Sequence, residues 1–300
     1  MTMLKVLELF AGIGACSKAL TNLEIDHEII DAVEIDKYAI ASFNAIHGTN
    51  FRPQDICEWD KNIECDLIMH GSPCQDFSIA GKNAGGDEGS GTRSSLMYET
   101  LRIVDKLKPK YVIWENVKNL LSKKHRHNFD AYLEAMEKLG YVNYYRVLNA
   151  KDYGVPQNRE RVFTVSIRLD VPYCWAFKFP PRRPLTKHLI DVLERDVDEK
   201  YYLTAKQIAG YIATNDKHEN RGNGFRFEPT NGDDIGKTIT AKAGSRITDN
   251  YIKVAGRLDI KGQDQIKRVY DPGGGVTHII NNDGRQPSTE DCRKQRARYE

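Results

Sequence analysis

The stretch Glu8-Leu9-Phe10-Ala11-Gly12-Ile13-Gly14 decides the fold of this chain. The apolar run at 5–10 predicts a buried strand, and the helical spacing of apolar residues at 15–23 predicts a helix directly after the glycines. Glycines between a strand and a helix let the backbone approach a bound ligand closely. The stretch therefore indicates an α/β fold with a ligand near this turn.

The rest of the first half continues this alternation of strands and helices. We predict strands at 5–10, 27–33, 66–70, 111–114, 141–148 and 161–167, and helices at 15–23, 37–47, 96–107 and 129–139. Such alternation is typical of a doubly wound, mostly parallel sheet. Prolines then break the pattern after residue 169, one more helix is predicted at 186–193, and the polar, Gly- and Asn-rich residues 201–250 indicate a second, smaller domain.

Composition excludes several classes of protein. The chain has 300 residues, 40% of them hydrophobic, which suits one large domain and a smaller one. A formal net charge of +2 does not indicate a nucleic-acid partner, so any contact with DNA must come from local basic clusters. None of the 6 cysteines forms a Cys-x-x-Cys pair, which favours a reducing cytosol and argues against a disulfide framework or a zinc site. We expect neither a secretory leader nor a membrane span.

An acidic residue, Glu34, ends the second predicted strand. This is the place for a carboxylate that binds ribose hydroxyls, so the cofactor is expected to carry a nucleoside. Ser17 stands where a dinucleotide-binding pattern requires a third glycine, which favours S-adenosylmethionine and disfavours a nicotinamide oxidoreductase. On the glycines alone, an ordinary tight turn is an equal alternative, and Glu34 decides for the cofactor.

Two predicted strands end in residues suited to covalent catalysis. Cys74 follows Pro73 after the strand at 66–70, and Glu115 follows the strand at 111–114. Ligands bind outside the carboxyl ends of strands in open α/β sheets, so a nucleophilic thiol and an acid are expected to face one substrate. Each residue alone has a structural alternative, because free cysteines are usually buried and inert and carboxylates are commonly ion-paired.

The Gly-rich residues 78–95 directly follow Cys74. A long loop inside a compact domain is usually functional, so this position favours a lid that closes over bound substrate. An ordinary surface loop is the alternative. Farther along, the basic residues 123–127 are a candidate contact for a phosphate backbone, although a charge run is more often a solvated face.

A second basic motif is Gln157-Asn158-Arg159-Glu160-Arg161. In a strand, Arg159 and Arg161 would point to the same side, since side chains alternate between faces. Two guanidinium groups on one face are suited to clamp a base oxygen and a phosphate. A surface strand with ion pairs is the alternative.

Taken in order, these motifs resemble the DNA cytosine-5 methyltransferase family, of the bacterial or phage restriction–modification type. The resemblance covers residues 4–169, over half of the chain. Its motifs are the glycine turn, Glu34, Asp55-Ile56, Pro73-Cys74-Gln75, Glu115-Asn116-Val117, and Gln157 with Arg159 and Arg161. It implies a Rossmann-like fold that binds S-adenosylmethionine, no metal, and a smaller target-recognition domain at about 201–271 that reads the major groove of duplex DNA.

The resemblance also implies a role for each matching residue. Cys74 attacks carbon 6 of a cytosine flipped out of the duplex, Glu115 bonds the ring nitrogen N3 and the exocyclic amine, Arg161 binds O2, and Arg159 supports the ring or the backbone. The implied cofactor-binding residues are Phe10, Ala11, Gly12, Ile13, Gly14, Glu34, Ile35, Asp55, Ile56, Pro73 and Leu96. The implied substrate-binding residues are Gln75, Ser78, Lys82, Asn116 and Gln157.

The end of the sequence departs from the family pattern. The resemblance is expected to stop after Gly275, which divides the chain into a catalytic, S-adenosylmethionine-binding domain (1–185), a hinge and target-recognition domain (186–275) and an atypical tail (276–300). A frameshift in the glycine codons would explain this tail, and we expect weak cofactor binding and impaired activity. The alternatives to a frameshift are a genuine short form and a missing half supplied by another polypeptide. For the function, the alternatives are a tRNA cytosine-5 methyltransferase of the same fold and a catalytically inactive DNA-binding remnant. Expected partners are duplex DNA and a cognate restriction endonuclease in the cytoplasm of a bacterium or phage-infected host.

Overall fold

A computed structural model describes residues 3–73, 96–194, 197–198, 201–219, 226–239, 249–258 and 264–268. The chain divides into two compact units. The first comprises Met1–Leu148 and Glu160–Pro181, and the second comprises Asn149–Arg159 and Arg182–Glu300. In the described parts of the chain, no helix is long and apolar enough to cross a membrane.

The first unit is built on a six-stranded sheet in the order β2-β1-β3-β4-β7-β5. Its strands are β1 (Leu4–Leu9), β2 (His27–Val33), β3 (Leu67–His70), β4 (Tyr111–Val117), β5 (Tyr141–Asn149) and β7 (Glu160–Arg168), with the two-residue β6 (Gln157–Asn158) between the last two. Its helices are α1 (Ala15–Asn22), α2 (Lys37–His47), α3 (Met97–Leu107) and α4 (Arg126–Lys138). Neighbours from β2 to β4 are parallel, and β7 runs antiparallel to β4. The predicted α/β class and mostly parallel sheet are confirmed.

The strand order reverses at β1, because β2 pairs with one edge of β1 and β3 with the other. In open α/β sheets such a reversal opens a crevice at the carboxyl ends of the strands. The turn at 10–14 leaves β1 there, and Gly71-Ser72-Pro73 leaves β3 there. The topology therefore brings two of the predicted motifs to one edge of the sheet.

Local sequence explains the best-predicted elements. Asp36 caps α2 by accepting hydrogen bonds from the backbone N–H groups of Tyr38 and Ala39, and Gly48 ends it in the left-handed conformation. The predicted bounds 27–33 and 37–47 are both confirmed. The apolar core between sheet and helices includes Leu7, Ile68, Val112, Ile103 and Phe129.

Three predicted elements differ from the structure. β4 continues to Val117, because β7 pairs with it as far as Val117 and Arg161, so Glu115 lies within the strand. α4 begins at Arg126 instead of residue 129. The helix predicted at 186–193 is wrong: only the 3₁₀ turn Leu189–Val192 forms, since Asp234 and Gly232 accept the N–H groups of Leu189 and Ile190.

The second unit contains a helix that the sequence analysis missed, α5 (Ala205–Glu219). It packs on a small core formed by Leu203, Ile208, Phe227 and Tyr251. Two further strands, β9 (Tyr251–Leu258) and β10 (Asp264–Arg268), pair antiparallel, and β8 (Gly236–Lys237) pairs parallel with β6. The predicted boundary at 185–186 and the recognition role of 186–275 stay predictions.

Candidate functional site

The turn after β1 is held in unusual backbone conformations. Gly12 and Gly14 have φ angles of 55° and 85°, and Phe10 has a φ of 53°. A bulky residue in the left-handed region stores strain of about 1–3 kcal/mol, and such strain clusters at functional sites. Ala11 is buried at the bottom of the turn and Ile13 is half-buried. The strained backbone therefore indicates that this turn has a functional role besides connecting β1 to α1.

The two glycines of this turn have different surroundings. A Cβ atom on Gly14 would lie 2.2 Å from Nε2 of His47 and 2.8 Å from Cδ2 of the fully buried Phe43. Gly14 is thus required for the packing of α1 against α2, where its carbonyl also meets His47 Nε2 at 3.0 Å. A Cβ atom on Gly12 would meet nothing within 4 Å. The open space beside the turn lies at Gly12.

Glu34 faces the same turn from the end of β2. Its Oε2 accepts the Gly12 N–H at 2.9 Å, and its Oε1 accepts the Asp36 N–H at 2.9 Å. Each carboxylate oxygen keeps a further lone pair, so two ribose hydroxyls have acceptors here. Ile35, directly after it, is 62% exposed. The carboxylate is half-buried and fixed by backbone groups before any ligand arrives.

The segment with Asp55 and Ile56 is tied to the same strand end. The Gln54 N–H donates to the Glu34 carbonyl at 2.8 Å. The Asp55 carboxylate accepts the Cys57 N–H at 2.9 Å, and Ile56 is buried. The structure therefore gathers the glycine turn, Glu34 and Asp55 around one end of β1 and β2. An open space, a carboxylate with spare acceptors and an exposed apolar side chain together fit a nucleoside such as that of S-adenosylmethionine.

A buried carboxylate below the turn was missed by the sequence analysis. Glu8 is 2% exposed, and it accepts hydrogen bonds from the Ser17 N–H at 3.1 Å and from the Ser17 hydroxyl. Burial raises the pKa of Glu8 to about 6, although these hydrogen bonds oppose the increase. Ser17, which stands in the place of a third glycine, therefore stabilises the Glu8 carboxylate by donating hydrogen bonds to it. The available signal was a charged residue inside the apolar run of β1.

Glu115 and Arg161 form the second cluster. Glu115 lies opposite Phe163 and Arg161 opposite Val117, so the two side chains are diagonal neighbours on one face of the β4–β7 pair. Arg161 Nε lies 2.9 Å from Glu115 Oε1. The side chains are 19% and 31% exposed for Arg161 and Glu115 respectively, so the carboxylate remains accessible to a ligand.

The end of β3 passes directly beside this carboxylate. A Cβ atom on Gly71 would lie 3.7 Å from Glu115 Oε2. The next residue, Ser72, is 3% exposed, and its hydroxyl accepts a hydrogen bond from Trp114 Nε1 at 2.9 Å. Asn116 Nδ2 donates to the Ser72 carbonyl at 3.4 Å. Side chains of β4 thus hold the turn that leads into Pro73 and Cys74.

Buried aromatic residues pack against Trp114, the donor of the hydrogen bond to Ser72. His70 stacks on Trp114 with ring centroids 5.6 Å apart, and its Nε2 meets the Tyr132 hydroxyl at 3.1 Å. Complete burial lowers the pKa of His70 to about 3, so the ring is neutral. Asn116 is 1% exposed and is bonded to Ser72 as described, while its predicted role in substrate binding stays a prediction.

Arg159 lies outside a strand, so the continuous strand expected to carry both Arg159 and Arg161 is interrupted, and the shared face of the two guanidinium groups stays a prediction. β6 ends at Asn158 and β7 begins at Glu160, which leaves Arg159 between the strands. The cause is Asn149, whose Oδ1 accepts the Arg159 N–H at 3.1 Å, while the Arg159 carbonyl accepts the Ala150 N–H. Gln157 and Arg159 belong to the second unit, and Arg161 belongs to the first.

The remaining predicted residues fall near or outside the limits of the description. Pro73 and Leu96 are the last and first described residues on either side of 74–95. The described residues exclude Cys74, Gln75, Ser78, Lys82 and the rest of the predicted lid at 78–95. In the ranges that the structure covers, no group of three or more His, Cys, Asp or Glu side chains is placed to hold a metal ion.

The known proteins that this chain resembles are methyltransferases. A family model described as C-5 cytosine-specific DNA methylase matches residues 4–296, which extends past Gly275, where we expected the resemblance to stop. The type II methyltransferase M2.ScrFI of Lactococcus lactis subsp. cremoris is 35% identical over 262 residues, covering 69% of this chain and 72% of the relative. The orphan methyltransferase M.Rho11sI of Bacillus phage rho11s is 31% identical over 337 residues, covering 91% of this chain and 66% of the relative.

Solved structures support the same fold. A mutant of the Spodoptera frugiperda DNMT2 protein superposes with a TM-score of 0.67 at 22% identity, covering 85% of this chain and 76% of the other. The S. pombe Dnmt2 methyltransferase gives a TM-score of 0.62 at 18% identity, covering 85% of this chain and 77% of the other. At these identities the likeness shows the fold alone.

Proposed function

The chain belongs to the family of C-5 cytosine-specific DNA methylases, and we propose that it methylates carbon 5 of a cytosine flipped out of duplex DNA, through a covalent adduct of Cys74. The observation that carries the proposal is the Glu115–Arg161 pair at 2.9 Å, beside the anchored turn that leads into Cys74. An acid and a guanidinium at the carboxyl ends of the strands, together with a cysteine that directly follows Pro73 in the sequence, match what activation of a pyrimidine ring requires.

The cofactor is S-adenosylmethionine, which supplies an electrophilic methyl group when bound. Glu34 would accept the ribose hydroxyls, and the Gly12 turn leaves room for the ligand. Ile35 and Ile56 would pack against the adenine, and Asp55 would accept from its amino group. Phe10, Ala11, Ile13, Gly14, Pro73 and Leu96 would complete the walls. Support comes from the open space at Gly12 and from the two spare acceptors of Glu34.

The base chemistry falls to three residues. The Cys74 thiolate would form a bond to carbon 6 of cytosine, which raises the electron density at carbon 5. Glu115 would hold a proton at N3 and accept from the exocyclic amine, and Arg161, fixed by its ion pair with Glu115, would donate to O2. Once carbon 5 carries the methyl group that S-adenosylmethionine supplies, loss of the carbon-5 proton to a solvent base would break the bond between carbon 6 and Cys74, so that the thiolate leaves and the ring is restored. Gln75, Ser78, Lys82, Asn116, Gln157 and Arg159 would hold the flipped nucleotide.

The second unit would supply the recognition of DNA sequence. We assign residues 186–275 to this hinge and recognition domain and 1–185 to catalysis. Because the substrate is DNA, the enzyme would act in the bacterial or phage-infected cytoplasm. A cognate restriction endonuclease is the protein partner that we propose, since one of the relatives is a type II methyltransferase.

A product assay tests this function. The protein is incubated with S-adenosylmethionine carrying a labelled methyl group and with duplex DNA of mixed sequence, and the DNA is hydrolysed to nucleosides. We expect the label in 5-methyldeoxycytidine, and none in N-methylated nucleosides. A parallel reaction with tRNA should stay unlabelled. Label found in tRNA alone, or on an exocyclic nitrogen, would contradict the proposal.

A further inference from the structure

A basic depression lies within the second unit, and neither the family nor the predicted site residues account for it. Its volume is about 450 Å³, and its walls include Lys151, Asp152, Arg182, Arg183, Leu185 and Ile235. Three cations and one carboxylate give it a net charge of +2 (3 − 1). The remaining lining is largely apolar.

Only one of these cations is neutralised locally. Asp152 Oδ2 lies 3.3 Å from Arg182 Nε, and the Asp152 carbonyl accepts the Arg183 N–H at 2.8 Å. Within the described ranges, no ion pair engages Lys151 or Arg183. Asp152 therefore fixes the Arg182–Arg183 segment, and two positive charges face the depression without a partner carboxylate. Such an arrangement favours an anionic ligand.

The depression is fixed to the segment that carries Gln157 and Arg159. The Asn149 side chain accepts the N–H groups of both Lys151 and Arg159, at 3.3 and 3.1 Å, and donates to Asn158 at 2.6 Å. On the other wall, Ile235 leads into β8, which pairs with β6. A ligand held here is thus placed at a fixed position relative to Gln157 and Arg159.

We propose that this depression, defined by Lys151, Arg182 and Arg183, binds a phosphodiester of the duplex backbone. The inference rests on the proposed function, since that makes duplex DNA the substrate. Lys151 and Arg183 would donate to non-bridging phosphate oxygens, and Leu185 and Ile235 would contact the adjoining deoxyribose. Its contribution is positioning without sequence readout, because phosphate contacts fix register and carry no base information.

The salt dependence of DNA binding tests the proposal. The double variant Lys151→Gln/Arg183→Gln is compared with Lys108→Gln/Lys138→Gln, which removes two exposed charges from the C-terminal ends of α3 and α4 in the first unit, outside the proposed recognition domain. Binding of the full chain to a labelled duplex is measured between 50 and 200 mM salt, conditions over which phosphate contacts change affinity strongly. The first variant should lower the slope of log K against log salt by about 1.8 and weaken binding about tenfold. The Lys108→Gln/Lys138→Gln variant should leave the slope within about 0.3 of wild type.

A variant with the opposite sign keeps the test independent of folding defects. Asp152→Asn removes the carboxylate among the described residues that line the depression, so it should tighten DNA binding about threefold at low salt. An unchanged slope in Lys151→Gln/Arg183→Gln, or equal losses of DNA affinity in both double variants, would overturn phosphodiester binding in the depression. If the wild type still methylates DNA in that case, the proposed function stands. A wild-type chain that neither binds nor methylates duplex DNA would overturn both.

Discussion

The two halves of the sheet edge hold their functional groups by different means. At β1 and β2 the backbone holds the functional groups: the Gly12 N–H donates a hydrogen bond to Glu34, and residues in the left-handed conformation shape the turn. At β3, β4 and β7 side chains hold them, through the Trp114–Ser72 hydrogen bond and the Glu115–Arg161 ion pair. A backbone-held site depends on glycines that are adjacent in sequence, whereas a side-chain-held site depends on residues from distant strands.

The largest effect is expected from Glu115→Gln, which attacks the side-chain-held half. The amide cannot carry a proton to N3 as a carboxylic acid does, and the ion pair with Arg161 is lost. Methyl transfer to DNA should fall by about 10²–10⁴-fold, the usual contribution of a positioned acid. The matched control is Glu160→Gln, whose exposed carboxylate pairs with Lys118 and should leave the rate nearly unchanged. A Glu115→Gln enzyme with more than a tenth of wild-type activity would contradict the assigned role.

The backbone-held half is tested by Gly14→Ala and Gly12→Ala. In Gly14→Ala, left-handed strain adds to a clash with His47 and Phe43, so the free energy of unfolding should fall by about 2–5 kcal/mol. In Gly12→Ala only the strain applies, about 1–2 kcal/mol. Denaturant titration measures both changes.

The same pair separates stability from ligand binding. The methyl group of Gly12→Ala projects into the open space proposed for the cofactor, so S-adenosylmethionine should bind about tenfold more weakly, as a steric cost of about 1.4 kcal/mol implies. Isothermal titration calorimetry on the folded variants gives this number. Equal stabilities of the two variants would contradict the packing role of Gly14, and wild-type cofactor affinity in Gly12→Ala would contradict the cofactor site at Gly12.

Ser72→Ala tests the anchor of the turn before Cys74. Loss of the acceptor leaves buried Trp114 Nε1 unsatisfied, which should cost about 1–3 kcal/mol of stability and lower kcat more than it raises KM for DNA. Ser122→Ala is the control, because Ser122 Oγ is buried with no hydrogen-bond partner among the described residues. The control should be neutral or slightly stabilising. Equal effects of the two substitutions on kcat would remove the positioning role.

A further effect concerns the pH dependence of stability. Because burial raises the pKa of Glu8 from 4.5 to about 6, the unfolded chain releases this proton at lower pH than the folded chain. Stability contributed by Glu8 is therefore complete below pH 4.5 and is lost as pH rises to about 6, by about 2 kcal/mol. Glu8→Gln should abolish this part of the stability profile in urea titrations. A profile identical in wild type and variant would refute the raised pKa.

Asp31 on the neighbouring strand provides the opposite case. Burial alone would raise its pKa, but hydrogen bonds from Lys61, Trp59 and Gln54 outweigh burial and lower it. Its contribution to stability is lost only as pH falls through the lowered value. The difference between wild type and Asp31→Asn should thus stay constant between pH 4.5 and 6. Glu8 and Asp31 are each 2% exposed, and their pKa values shift in opposite directions because the hydrogen-bond donors around them differ.

These contrasts explain how much the sequence could predict. The elements at 27–33 and 37–47 were predictable because their caps and apolar patterns are local. The helix expected at 186–193 fails because distant carbonyls at 232 and 234 capture its N–H groups. Arg159 leaves the strand because Asn149 captures its N–H. Competition from long-range hydrogen bonds cannot be read from neighbouring residues.

The candidate site follows the same division. The glycine turn and Glu34 were identified from adjacent residues, and the structure brings them within a hydrogen bond of each other. The Arg161–Glu115 contact and the anchoring of Ser72 depend on the pairing of β4 with β7 and β3. Glu8 and α5 were missed because a buried charge and a mostly polar helix give weak apolar patterns.

Trapping of the covalent intermediate tests the central claim most directly. The protein is incubated with S-adenosylmethionine and duplex DNA that carries 5-fluorocytosine at many sites, and adducts that survive denaturant are resolved by electrophoresis. Fluorine at carbon 5 cannot leave as a proton does, so the adduct should accumulate in wild type and be absent in Cys74→Ser. No adduct from a protein that is folded and methylates ordinary DNA, or an adduct that persists in Cys74→Ser, would contradict the account.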